Sequence, residues 1–327
     1  MRYLAHEVYV LDNHEIEFAL TEKPLHLVDI VASHSNQFIL WSSIGLLLVC
    51  GVFIFSVSVK VEQLLDKYLI KIKRVAPVIA QITLGLSLVA SAYYGAIFGV
   101  ELPFDKAFGA YAGPLSIAVS IIGAALLLGI YPRLAALGAI AIFLPLLDKY
   151  GLYMLNYFTY LGEALTIFLL GSNYDLFRKK DNHPWWHSNF WLAPHLQKYK
   201  YLLIRIFFGT SLIYAALYAK YIHGALALET VAKYQLTQYF HFDPLFLVLG
   251  ALMVEIFLGI CFLIGFEIRF ASIFFLVFLT MSVIFFKEAV WPHVILIGTA
   301  ISMFTHGYDR YTITGRLSKR KDLEPVL

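Results

Sequence analysis

Apolar positions in this chain fall in long runs, not in the one-sided stripes or strict alternation of water-soluble helices and strands. Nine stretches, near 38–59, 75–98, 113–131, 133–148, 152–171, 201–223, 244–264, 269–287 and 291–307, carry the pattern. About 20 apolar residues in a helix span the ~30 Å hydrocarbon core, so each stretch predicts a transmembrane helix. The expectation is an all-α integral membrane protein with about nine such helices. Residues 1–37 read as an acidic tail, 38–74 as a first helix with a basic linker, 75–175 and 200–310 as two four-helix units, 176–199 as an aromatic interfacial loop and 311–327 as a basic tail.

Composition supports this class: 60% of the 327 residues are hydrophobic, 14% are charged, and mean hydropathy is +0.74. Soluble domains carry nearer ~25% charged residues. The net charge of +3 is dispersed over loops flanking the apolar runs, which argues against nucleic-acid binding and for a lipid bilayer as the first partner. Cys50 and Cys261 both lie inside apolar runs, with no metal or haem-attachment spacing.

Lys and Arg are unevenly shared between the two sets of loops: seventeen lie on one side, seven on the other, and Arg205 lies inside a run. By the positive-inside rule this predicts an outside N-terminus and a cytoplasmic C-terminus, in a plasma (inner) membrane. The tail then faces outward with Glu7, Asp12, Glu15, Glu17, Glu22 and Asp29, a surface for an extracytoplasmic protein partner. No charged-then-apolar signal precedes it; a true start further upstream is one explanation, and transfer by the first helix is the other. His6 as a processed N-terminus holding copper is a weaker reading. The 172–199 loop sets Trp185, Trp186, Phe190 and Trp191 among His183, His187 and His195. Such a mixture reads first as a segment in the headgroup layer and only secondarily as a metal site.

The chain also repeats itself. GLSLVASAYY (85–94) matches GTSLIYAALY (209–218), GIYPRLAA (129–136) matches GFEIRFAS (265–272), Gly123 falls on Gly259, and GSNYD (171–175) recurs as HGYD (306–309). An even number of spans per copy makes this a parallel repeat. The copies differ in charge: Gln81 aligns with Arg205, Ala96 with Lys220, Val119 with Glu255 and Tyr157 with His293, while Glu163 aligns with Thr299.

Charged groups at membrane depth cost roughly 2.5–3.5 kcal/mol even on lenient scales, so these positions are where chemistry is sought. Glu255 lies mid-span, beside Ala251 and Gly259, and reads as a proton-linked carboxylate, a hydrogen-bond partner for a quinone, or half of an internal pair with Arg205 or another donor. Arg205 and Lys220 lie near opposite ends of one span and can also snorkel to the headgroups. His293 follows Trp291 and Pro292 at the outer start of the last span, near His223, His241 and Lys287. Glu163 reads as a packing hydrogen bond in the first unit.

Arg205, Gly209 and Lys220 in one span, Glu255 and Gly259 in the next, the Gly265–Arg269 hairpin and Gly307 at the end of the last span together resemble the DoxX/DoxD family. The resemblance covers 200–310 well and 75–175 weakly. It implies antiparallel four-helix membrane bundles. It also implies a role beside redox enzymes: some members look like quinone-reducing subunits, as in thiosulfate:quinone oxidoreductase, and others like assembly factors. The expectation is a membrane subunit of a respiratory or sulfur-linked redox system near the quinone pool. Glu255, Arg205, Lys220 and His293 would form the catalytic pocket, and Glu255, His293 and Trp291 would contact quinone. No haem, flavin or zinc motif and no metal site is expected. Rival readings are a non-catalytic assembly or anchoring protein and a transporter of small solutes or metals.

The orientation has a direct test. In intact cells, Ser188→Cys should be blocked from impermeant thiol reagents and Thr21→Cys should react; outside labelling at position 188 contradicts the assignment.

Overall fold

In a computed structural model of the chain, the residues described are 11–23, 25–59, 64, 65, 68, 69, 72–170 and 199–317; every named element among them is helical. The aromatic segment through 198, the 171–175 repeat match, His6 and the end of the basic tail lie outside the described residues.

The N-terminal segment contains α1 (Asn13–Ala19) and α2 (Leu27–Ser33) before α3 (Ser35–Val59). A capping box starts α1: the Asp12 carboxylate accepts from the Glu15 N–H, and Glu15 accepts from the Asp12 N–H. Helix α3 is apolar all round and leans on the second unit, with Phe53 stacked on Phe266 and Trp41 edge-on to Phe242.

The first unit comprises α4 (Ala76–Tyr94), the short α5 (Phe104–Phe108), α6 (Ala112–Leu128), α7 (Pro132–Tyr150) and α8 (Phe158–Leu170). The second comprises α9 (Lys200–Ala216), α10 (Gly224–Lys233), α11 (Leu236–Tyr239), α12 (Pro244–Ile264), α13 (Ile268–Phe286) and α14 (Val294–His306), with α15 (Ile313–Leu317) after it. Among the described residues, seven stretches are long and apolar enough to cross a membrane. One of these, 38 residues over Pro132–Leu169, holds both α7 and α8, folded back by a 3-10 turn at Gly151–Tyr157; α14 alone, at 13 residues, falls short.

Glycines set how the helices cross. A Cβ on Gly85 would sit 2.8 Å from the Gly123 carbonyl oxygen, and one on Gly209 would sit 2.6 Å from that of Gly259. The same α4–α6 crossing thus recurs between α9 and α12, with Gly85 returning as Gly209 and Gly123 as Gly259. Small residues let helix backbones approach this closely in a membrane, where packing takes over the role of the hydrophobic effect.

The units do not stand apart. Helix α8 packs on α9, and α14 packs on α4, so the last helix of each unit lies on the first helix of the other. These two contacts are equivalent: a Cβ on Gly162 would strike Phe207, and one on Gly298 would strike Thr83, which occupy matching repeat positions. Glu163 meets Thr299, its own counterpart, so a local two-fold axis passes between α8 and α14. The cores interpenetrate likewise. Ile295 and Tyr218 belong to the first unit's core, and Ala76 and Ala80 to the second's.

Candidate functional site

The expected pocket residues separate into two groups at opposite ends of the helices. Arg205 is 2% exposed near the start of α9, at the end where the Arg269 hairpin lies. Its Nε donates to the Phe262 carbonyl at 3.0 Å, and one terminal nitrogen donates to Leu263 and Tyr311 carbonyls at 3.1 and 3.3 Å. Its other terminal nitrogen lies 3.6 Å from Asp309. The guanidinium therefore caps the carbonyl end of α12, where helix carbonyls lack partners and positive charge is favoured. Gln81 does the same for α6, donating to Leu126 at 2.8 Å; donor and acceptor both stand at repeat positions equivalent to Arg205 and Phe262. Burial pushes the Asp309 carboxyl up, but His306, Arg205 and the Tyr311 N–H outweigh it and bring the group below its ordinary value. Arg205 thus has no place in a pocket with Glu255; the two share neighbouring helices but not depth.

Glu255 instead pairs with Lys220, Oε2 to Nζ at 2.9 Å, with side chains 18% and 21% exposed. What brings Lys220 inward is a π-helical turn, Leu217–Ile222, at the end of α9, closed by the His223 N–H on the Tyr218 carbonyl at 3.0 Å. Such turns admit one extra residue and shift the phase of those beyond it; they recur at functional sites. Tyr218 is held edge-on between Tyr153 and His223, at 5.1 and 4.7 Å.

The Lys220–Glu255 pair lies on the wall of a cavity of about 320 Å³ enclosed by both units. That is near the lower end of the roughly 300–1,000 Å³ usual for ligand pockets. From the first unit it takes Asn156, Tyr157, Thr159 and Tyr160; from the second, residues of α9, α12, α13 and the start of α14. Helix α10 closes one side with Ala227, Thr230 and Val231. The lining is mostly apolar, with the charged groups confined to two pairs.

The second pair is His293 and Glu288, with Nε2 3.1 Å from a Glu288 oxygen. The other ring nitrogen, Nδ1, lies 2.8 Å from the Ala289 carbonyl and can only donate there. With Nδ1 so engaged, Nε2 is the nitrogen that faces Glu288, an acceptor in the neutral ring and a donor in the protonated one. Glu288 is the residue sequence reasoning missed: it lies in the short turn after α13, five positions before His293, and nothing in that spacing marks it as facing inward. Trp291 does not line the cavity; its indole stacks on Tyr94 at 5.4 Å and 12°. Glu255, Lys220 and His293 are therefore brought together, while Arg205 and Trp291 serve packing elsewhere. Among the described residues no group of three or more His, Cys, Asp or Glu side chains is arranged to hold a metal ion.

The chain has no match among known family models, curated proteins or solved structures.

The capping role of Arg205 makes a stability prediction. Arg205→Gln should cost clearly less than Arg205→Met, because glutamine can still reach a carbonyl as Gln81 does. Methionine leaves buried carbonyls without donors, at about 1–3 kcal/mol. Thermal unfolding in detergent reads the order; equal losses would contradict the capping assignment.

Proposed function

We propose that this chain is a DoxX/DoxD-like membrane subunit of a redox system whose cavity takes up the polar head of a quinone from the bilayer. On this reading nine helices cross a plasma (inner) membrane, with the N-terminus outside and the cavity open toward the outer leaflet. The observation that carries it is the sharing of one apolar cavity by two acid–base pairs, Lys220–Glu255 and His293–Glu288. Lys220, and the His293 Nε2 when its ring is protonated, can each turn to donate to a carbonyl oxygen, and Glu255 and Glu288 can take protons from water and pass them to the quinone oxygens as it is reduced. Apolar walls suit a ring, and a tail would remain among the helices or in lipid. Electrons would come from a partner protein through the quinone itself, because no cofactor motif is present in the sequence.

A second reading has its own support. On α1 the side chains of Asp12, His14, Glu17 and Phe18 are exposed, Phe18 at 56%, while Ile16 and Ala19 are buried against Leu226 of α10. A capped acidic helix with an exposed ring suits docking of an extracytoplasmic protein in an anchoring or assembly role.

The two readings part on ligand binding. Protein purified in mild detergent should retain quinone and bind a short-chain quinone saturably, read by quenching of tyrosine and tryptophan fluorescence. Lys220→Met and His293→Phe should each weaken binding roughly ten- to hundredfold, the worth of one charged hydrogen bond. Glu255→Gln should fold with binding altered less than its turnover. Absence of saturable binding in the wild type would remove the quinone reading and leave the anchoring one.

A further inference from the structure

Glu163 of α8 is fully buried at the seam between the units, and its surroundings indicate which hydrogen it holds. Thr299 Oγ1 lies 2.6 Å from Glu163 Oε1 and 2.8 Å from the Ile295 carbonyl oxygen. A hydroxyl carries one proton and a backbone carbonyl none. If the Thr299 proton goes to Ile295, as helical threonines commonly arrange, the hydrogen between Thr299 and Glu163 must come from the carboxyl. A chain of donors from Glu163 through Thr299 to Ile295 results. No Lys, Arg or His makes an ion pair with Glu163 among the described residues, so nothing there offsets an ionised carboxylate.

Two oxygens on this helix face are left over. Glu163 Oε2 and, one turn earlier, Thr159 Oγ1 are buried with no hydrogen-bond partner. Thr159 belongs to the cavity wall, and side chains four apart on a helix lie over one another. The pair therefore leads from the cavity to the local two-fold axis. Titratable groups on the packed elements include Glu101, Tyr157, Tyr218, Lys220 and His293 toward the cavity and Tyr201, Arg205 and His306 toward the other end. Tyr160, on α8 itself, donates to the Phe98 carbonyl. The repeat would place an acid on both helices, but Thr299 replaces the second, so the axis holds one exchangeable carboxyl and its built-in hydrogen-bond acceptor.

We propose that Glu163 is a proton-exchange site served from the cavity through Thr159. In the outward step the O–H bond of Glu163 breaks and the proton passes, by a hydrogen-bonded water at Thr159, to a carboxylate or imidazole on the cavity wall. The return step reverses this, and no electron moves. The site would hold a proton for any occupant of the cavity, and it does not depend on that occupant being a quinone.

Infrared difference spectroscopy of the full chain, perfused from H2O to D2O, tests it. The wild type should show a protonated-carboxyl C=O band that is absent from Glu163→Gln and shifts down in D2O within minutes. Thr159→Val keeps the carboxyl and should slow that shift at least tenfold. Should Glu163→Gln fail to accumulate, Glu163→Asp, which moves the band, makes the assignment. No band assignable to Glu163, a band that never shifts, or an unchanged rate in Thr159→Val would each overturn the proposal. None of these readouts requires quinone, so they fail independently of the ligand assignment above.

Discussion

Close backbone approach at a few glycines is the constraint on which the rest of this structure hangs. Inside a bilayer, helices gain little from leaving lipid for one another, so they associate where small residues permit intimate contact. Gly85 on Gly123 and Gly209 on Gly259 fix one crossing in each unit. Gly162 against Phe207 and Gly298 against Thr83 then fix how the units meet. A side chain at any of these four points would push apart the helices that enclose the cavity. The pseudo-symmetric seam, the shared cores and the cavity are all consequences of that spacing.

Charge is placed on this frame according to what each position can satisfy. At the hairpin end, Arg205 replaces Gln81 in the same capping duty, gaining Asp309 as a counter-ion. At the other end, the π turn swings Lys220 onto Glu255, and the turn before α14 brings Glu288 to His293. A buried ion pair is weak evidence of stability by itself, because desolvation offsets much of its attraction. On the function proposed above, two such pairs on one apolar cavity are groups kept for a ligand. The first unit has Ala96, Val119 and Tyr157 at the positions of Lys220, Glu255 and His293, and its own acid, Glu101, accepts from Tyr153 and Tyr157 instead.

The helices were legible because apolar runs of bilayer length leave little alternative: the run at 244–264 is α12 to the residue, and the run at 133–148 becomes Pro132–Tyr150. The glycines at 85, 123, 209 and 259 stood out for the same reason, as matched small positions in otherwise bulky helices. Glu255 and His293 could be picked out as costly groups. Their partners could not, because depth along a helix says nothing of facing, and the π turn changes facing beyond Leu217. Arg205, in the span before Glu255, reads as one of several possible partners for it; geometry gives it the end of α12 instead. The segment after His223 was equally opaque, since the ten residues of α10 are too short and mixed to stand out from a loop. Trp291 looked like a cofactor contact from its place beside His293, yet a one-residue step from Pro292 turns it to Tyr94.

The most direct test of the central claim, that both units form one body around the cavity, is to cut the chain between them. A protease site inserted in the 176–199 segment would sever the covalent link and leave every described helix intact. After cleavage in detergent, the halves should migrate together by size exclusion and separate only under denaturing conditions, because α8 is packed on α9 and α14 on α4. Two fragments that part and remain independently folded would show that each unit is a self-sufficient bundle, and the seam with its cavity would have to be abandoned.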